Sequence, residues 1–129
     1  VTGDNPAVQA STPKRGRLTK AAEFDAVTQL GRSVGGRYLT LRYRAAEGGA
    51  IARVGYAVPR KVGGAVDRNL VKRRLREAVA QNDELLLPAT DYVLIARPGL
   101  AAASEAQGFE WLVAQVAELL RASGEKAAS

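Results

Sequence analysis

The sequence predicts an α+β fold, a two-layer α/β sandwich with helices packed on a mostly antiparallel sheet. Three observations predict it. Stretches of alternating apolar and polar residues, the mark of half-buried strands, are interleaved with stretches whose apolar residues recur every three to four positions, the mark of amphipathic helices. The resulting order is helix, strand, strand, helix, strand, helix, with no internal repeat. The 129 residues suffice for one core, since domains commonly hold roughly 100–150 residues, and helices with one apolar face must bury it on a sheet or on each other.

Residues 1–16 mix Thr, Gly, Asn, Pro, Ser and Lys without periodicity and read as a disordered tail, because such a segment buries too little apolar surface to offset the entropy of ordering. From Leu18 to Leu30, Phe24, Val27 and Leu30 recur at helical spacing, with Thr19 placed as a cap and Gly31 as a stop. Residues 31–36 read as a loop. Tyr38 to Arg44 then alternates Leu39, Leu41 and Tyr43 against Tyr38, Thr40, Arg42 and Arg44, a strand with a cationic outer face.

Glu47, Gly48 and Gly49 suit a turn, and Ile51 to Val58 returns as a second strand, so that the two are expected to pair as a hairpin. In the second strand Val54, Tyr56 and Val58 share one face, while Gly55 and Ala57 share the other. Pro59 ends it, and Gly63 and Gly64 form a connector into a helix expected over residues 67–81. Asp91 to Arg97, bounded by Pro88 and by Pro98-Gly99, contains the apolar run of a buried central strand. The final helix is read from a capping box at Ser104 to Gln107, a stripe of Phe109, Leu112, Val113, Val116 and Leu120, and a stop at Gly124.

Composition removes several classes of function. With no Cys and no His, disulfides, thiolate or imidazole metal sites, Cys nucleophiles and a His general base are all excluded. No apolar run approaches the ~20 residues of a membrane span, and the first residues lack the basic opening and apolar core of a secretory signal, which gives a cytoplasmic expectation. Nor do the 13 carboxylates form a visible nuclease-like cluster beside basic residues.

The net charge of +6 is concentrated in one place. Between Arg53 and Arg76 eight Lys and Arg face Asp67 alone, a balance of +7, whereas Glu77 to Ser129 carries three against eight acids. The basic side invites a polyanion. At 100° per residue, Arg68, Asn69, Lys72, Arg73 and Arg76 fall within an arc of about 140°, with Val71, Leu75 and Ala78 beside it and Val79 at its margin. Like charges at Arg68, Lys72 and Arg76 stand at i, i+4, i+8 and repel by a few tenths of a kcal/mol per pair, unless an anion offsets them. A solvated charged face is the ordinary alternative. Against it stand the near absence of compensating acids, the glycine connector and the neighbouring Arg42 and Arg44, and the basic strand face and basic helix are expected to share a surface. For Phe24, core packing and stacking on a base are both open.

The run Arg53-Val54-Gly55-Tyr56-Ala57-Val58-Pro59-Arg60-Lys61-Val62-Gly63, followed by Ala65-Val66-Asp67-Arg68-Asn69-Leu70-Val71-Lys72-Arg73-Arg74-Leu75-Arg76-Glu77, resembles the bacterial ribonuclease P protein family. The likeness extends through Leu18 to Arg32, the strand at Asp91 to Arg97 and the final helix, giving a family domain over residues 17–122 with tails at 1–16 and 123–129. It implies a ribosomal protein S5 domain 2-like fold with a left-handed βαβ crossover, which periodicity does not show and the usual handedness rule opposes. It also implies a ribonucleoprotein endoribonuclease that removes the 5′ leader from precursor tRNA. In such an enzyme the RNA subunit performs Mg²⁺-dependent hydrolysis, and the protein binds that RNA and the leader without catalytic residues of its own.

Carried onto this chain, the likeness assigns Arg68, Asn69, Lys72, Arg73 and Arg76 to the RNA subunit, and Phe24, Thr40, Arg42, Ala57, Lys61 and Ala96 to the 5′ leader. The chain departs from the family pattern at Thr28, where many members have a second aromatic, at Leu70, where a polar or basic residue is usual, and at Arg42, where some have Tyr. Three competing classes make different demands. A general RNA-binding or ribosomal protein would not prefer precursor over mature tRNA, and a helix-turn-helix would need a helix just before residue 67, where Pro59 ends a strand. An autonomous nuclease would need an acid or base that is not visible.

Overall fold

The computed structural model describes residues 15–46 and 51–128. In chain order these form β1 (Arg15–Arg17), α1 (Ala21–Leu30), β2 (Arg32–Gly35), β3 (Leu39–Ala45), β4 (Ala52–Ala57), a 3₁₀ turn (Arg60–Val62), α2 (Ala65–Ala80), a second 3₁₀ turn (Asp83–Leu85), β5 (Thr90–Ala96), α3 (Leu100–Gln107) and α4 (Phe109–Ala128). The strands make one five-stranded sheet in the order β1-β4-β5-β3-β2.

The α+β sandwich is as expected, and its sheet combines antiparallel with parallel pairs. β1 and β5 both run parallel to β4, whereas β3 runs antiparallel to β5 and to β2. The expected hairpin does not form, because β5 lies between β3 and β4. Its reason is visible in β5 itself: Tyr92 and Leu94 are buried on one face and Val93 on the other, and a strand apolar on both sides gains most from a central position. The turn assigned to Glu47, Gly48 and Gly49 lies outside the described residues.

Two short strands were not expected. β1 takes Arg15 and Gly16 out of the segment read as a tail, and β2 takes residues 32–35 out of the segment read as a loop; neither is long enough to show periodicity. At the other end, residues 123–128, expected as a tail, continue α4, and Gly124 lies inside that helix. The expected capping box is also absent. Ser104 is buried within α3, and the break before α4 falls at Gly108, whose φ of 96° glycine adopts at little cost.

The sheet separates two apolar layers of unequal size. Leu39, Leu41, Tyr43, Val54, Tyr92 and Leu94 pack with Val71, Leu75, Ala78 and Val79 of α2 and with Leu112, Val116 and Leu120 of α4. On the opposite face a smaller cluster of Leu18, Val27 and Val93, joined by Phe24, Ala57 and Ile95, seats α1. α1 begins after Lys20 rather than at a Thr19 cap, and ends as anticipated at Gly31. A Cβ at Gly31 would stand 2.5 Å from the Val27 carbonyl oxygen and 2.6 Å from that of Tyr43. Glycine there lets the helix end lie against β3.

Candidate nucleic-acid interface

The α1 face of the sheet is built in rows fixed by strand register. Ala57, Ile95 and Thr40 lie across from one another in one row, Gly55, Val93 and Arg42 in the next, and Arg53, Asp91 and Arg44 in the third. The first row is half-buried. Phe24 reaches from α1 onto the middle row, where a Cβ at Gly55 would stand 2.7 Å from its Cε2. Of the two readings of Phe24, core packing is seen, and the half-buried ring also lines an open pocket of about 290 Å³.

Several cations on or near this face are already engaged. Arg53 donates from Nε and Nη2 to the two Asp91 carboxylate oxygens, both at 2.8 Å, and from Nη1 to Glu23 Oε2 at 2.8 Å, tying β4, β5 and α1 together. These bonds, first to Asp91 and then to Glu23, raise the Arg53 pKa further above the ordinary arginine value. Arg42 Nη2 donates to the Gly31 carbonyl at 2.9 Å, and its Nε points to that of Val27 at 3.5 Å. It thus supplies a donor to the Gly31 carbonyl, beside the Val27 carbonyl that already accepts from the Gly31 N–H at 3.0 Å, and places a positive charge on the negative end of the helix dipole. Arg15 is paired with Asp83 and Arg74 with Glu105.

The other cations of α2 contrast with these. Arg68, Lys72, Arg73 and Arg76 have no acidic partner among the described residues, and Asn69 stands exposed among them. The Nε atoms of Arg68 and Arg76 are buried without a hydrogen-bond partner, a state that native donors seldom keep unless a ligand or water completes them. Val71, Leu75, Ala78 and Val79 anchor the helix, so its cationic arc is held outward by the packing of the other arc.

The structure brings Phe24, Thr40, Arg42 and Ala57 together, with Lys61 on the exposed 3₁₀ turn beyond β4. Ala96 does not join them. It is 1% exposed and packs with the helix-covered core, because strand alternation turns it away from the face that Ile95 occupies. The expectation that the basic strand face and basic helix share a surface is likewise corrected: Thr40 and Arg42 face α1, whereas α2 packs on the opposite face. The two come together around the outer edge of β4. There β1 ends at Arg17 opposite Val54, and the pocket beside Phe24 is completed by Arg17, Tyr56, Lys72 and Arg76. Arg17 and Tyr56 were missed in the sequence, where a three-residue strand leaves no pattern and a lone Tyr on an apolar face reads as core.

Among the described residues no group of three Asp, Glu, His or Cys could hold a metal ion, and no helix is long and apolar enough to cross a membrane. A two-sided α+β sandwich with unpaired cations on one helix and an aromatic-walled pocket at the sheet edge defines the class of small α+β proteins with one strongly cationic side. Residues 12–122 match the family model described as Ribonuclease P. The chain is 40% identical over 113 residues to the ribonuclease P protein component of Gluconacetobacter diazotrophicus, covering 87% of this chain and 94% of that one. It is 44% identical over 86 residues to that of Brevibacillus brevis, covering 67% and 68%. The ribonuclease P protein of Thermotoga maritima superposes with a TM-score of 0.73 at 29% identity, over 82% of this chain and 96% of that one. The chain belongs to the ribonuclease P protein family, that of the protein component of the bacterial enzyme.

Proposed function

We propose that the chain acts in the cytoplasm as the accessory subunit of a tRNA 5′-maturation endoribonuclease, with α2 docking on the catalytic RNA subunit and the α1 face of the sheet receiving the single-stranded leader of precursor tRNA. The row of unpaired cations on α2 carries this reading. An arginine offers a planar donor fork for phosphate oxygens, and Asn69 adds a group that both donates and accepts. Leader nucleotides would lie over Ala57 and Thr40 with a base against Phe24 and a phosphate toward Lys61. Arg42 contributes mainly potential there, since its guanidinium is engaged by α1.

Mg²⁺ belongs to this proposal as a cofactor held by the RNA subunit and substrate. The carboxylates nearest the cleft do not suit it, because Glu23 and Asp91 are engaged by Arg53. Neutralising RNA phosphates would lower repulsion near the scissile bond, and the Mg²⁺ concentration needed for cleavage would fall.

The test is precursor-tRNA cleavage by a bacterial ribonuclease P RNA across a Mg²⁺ titration, alone, with this protein, and with an Arg68→Ala, Lys72→Ala double variant. The expected result is correct 5′ processing at lower Mg²⁺ with the wild type and not with the variant. An unchanged midpoint with the wild type would overturn the proposal in favour of general RNA binding.

A further inference from the structure

Two adjoining pockets of about 290 and 430 Å³ meet at the edge of β4, in the notch left where β1 stops at Arg17. Both are lined by Arg17, Tyr56 and Arg76; Lys72 and Phe24 line the first, and Arg15 and Asp83 the second. The charge in the notch is unbalanced. Asp83 is the acid facing it, and its two oxygens accept from Arg15 Nη1 at 2.8 and 3.0 Å, so Arg17, Lys72 and Arg76 remain uncompensated among the described residues.

The Tyr56 ring packs against the larger core, and no hydrogen bond ties its hydroxyl to another described residue. Burial raises its pKa, while the positive charges of Arg15, Arg76 and Arg17 oppose that rise. Arg76 Nε is buried and also lacks a partner. Three cations, Arg17, Lys72 and Arg76, and the phenol Tyr56 thus line a space with an apolar floor of Leu18 and Val54. Convergent donors in a low-dielectric wall favour a compact anion with several acceptor oxygens.

We propose that this notch is a phosphate subsite in which Arg17, Tyr56, Lys72 and Arg76 hold one phosphodiester group of RNA. The proposal rests on the RNA-binding reading above and deepens it: the notch joins the cationic face of α2 to the cleft beside Phe24 around one strand edge. The phosphate comes either from the RNA subunit or from the leader, and binding measurements separate the two.

Tyr56→Phe removes only the hydroxyl and keeps the ring in the core; Arg17→Gln removes one charge. Affinity is measured at several salt concentrations, first for the ribonuclease P RNA alone, then for leader-bearing precursor against mature tRNA on the assembled complex. Tyr43→Phe, a hydroxyl loss in the core, is the control, and circular dichroism checks that each variant folds. Tyr56→Phe is expected to weaken binding about ten- to a hundredfold, as for loss of a hydrogen bond to a charged group. Arg17→Gln is expected to weaken it and to reduce the slope of log affinity against log salt by about 0.7–0.9. A loss in the first arm assigns the phosphate to the RNA subunit, and a loss confined to precursor in the second assigns it to the leader. If both variants bind as wild type in both arms while Arg68→Ala, Lys72→Ala loses affinity, the subsite is overturned and the RNA-binding reading stands. If the double variant is also unaffected, both fall.

Discussion

The Phe24 ring lies against the backbone of Gly55, so closely that a Cβ at the glycine would stand 2.7 Å from Phe24 Cε2 and 2.9 Å from the Leu18 carbonyl oxygen. The aromatic wall of the cleft is therefore seated by the absence of a side chain one strand away. Leu18 is itself fixed, since its N–H donates to the Val54 carbonyl at 3.1 Å, and neither the ring nor the backbone has room to retreat toward the Leu18, Val27 and Val93 cluster.

Gly55→Ala should accordingly destabilise the fold by about 1–3 kcal/mol, the usual cost of overpacking, and displace Phe24. Chemical denaturation reads the first effect. The second should appear as a reduced preference for leader-bearing precursor over mature tRNA, whereas an unshifted midpoint would show that α1 yields freely.

Arg42→Gln should loosen α1 at its C-terminus. The Gly31 carbonyl loses its 2.9 Å donor and the helix loses a cation at its negative end, together about 1 kcal/mol. Faster hydrogen exchange confined to the last turn of α1 would be the local signature; exchange accelerated throughout the protein would contradict it.

Arg53 joins three elements, and its two acids should differ in weight. Arg53→Met strands Asp91, 7% exposed, and should cost about 3 kcal/mol, as when one partner of a largely buried pair is removed. Glu23→Gln affects a more exposed pair, and about 0.5 kcal/mol is expected. Equal losses for the two variants in urea unfolding would refute the ordering.

Alkaline stability should depend on two phenols. Burial raises the pKa of both Tyr56 and Tyr92 above the ordinary 10.0, so the folded state favours their neutral forms. The stability this contributes is complete below pH 10 and is lost as pH rises through the higher folded values. Urea midpoints taken from pH 8 to pH 11.5 should fall more steeply for the wild type than for a Tyr56→Phe, Tyr92→Phe double variant; parallel curves would exclude the tyrosines as the cause.

Much of this was legible locally. The stripe of Val71, Leu75, Ala78 and Val79 announced the buried arc of α2, and the alternation of Leu39, Leu41 and Tyr43 announced that of β3, because side-chain period follows directly from backbone geometry. The near absence of acids between Arg53 and Arg76 likewise marked the cationic face before any coordinates. Strand pairing was not legible in this way: β3 and β4 read as a hairpin, and only the burial of β5 on both faces placed it between them.

The sequence by itself determined the types of the longer elements and most of their core residues, the charge asymmetry and, through the run from Arg53 to Glu77, the family. The tertiary structure decided which face each group occupies and which cations are free. Ala96 and Ile95 are neighbours in sequence but lie on opposite sides of the sheet. Arg53 and Arg76 are equally basic as letters, yet the first is engaged by Asp91 and Glu23 and the second faces the notch beside Tyr56. The physical reason is range. Helical and strand periodicity arise from contacts a few residues apart, whereas the pairing of a charge depends on groups such as Asp91, 38 residues from Arg53, that only the completed packing brings within a hydrogen bond.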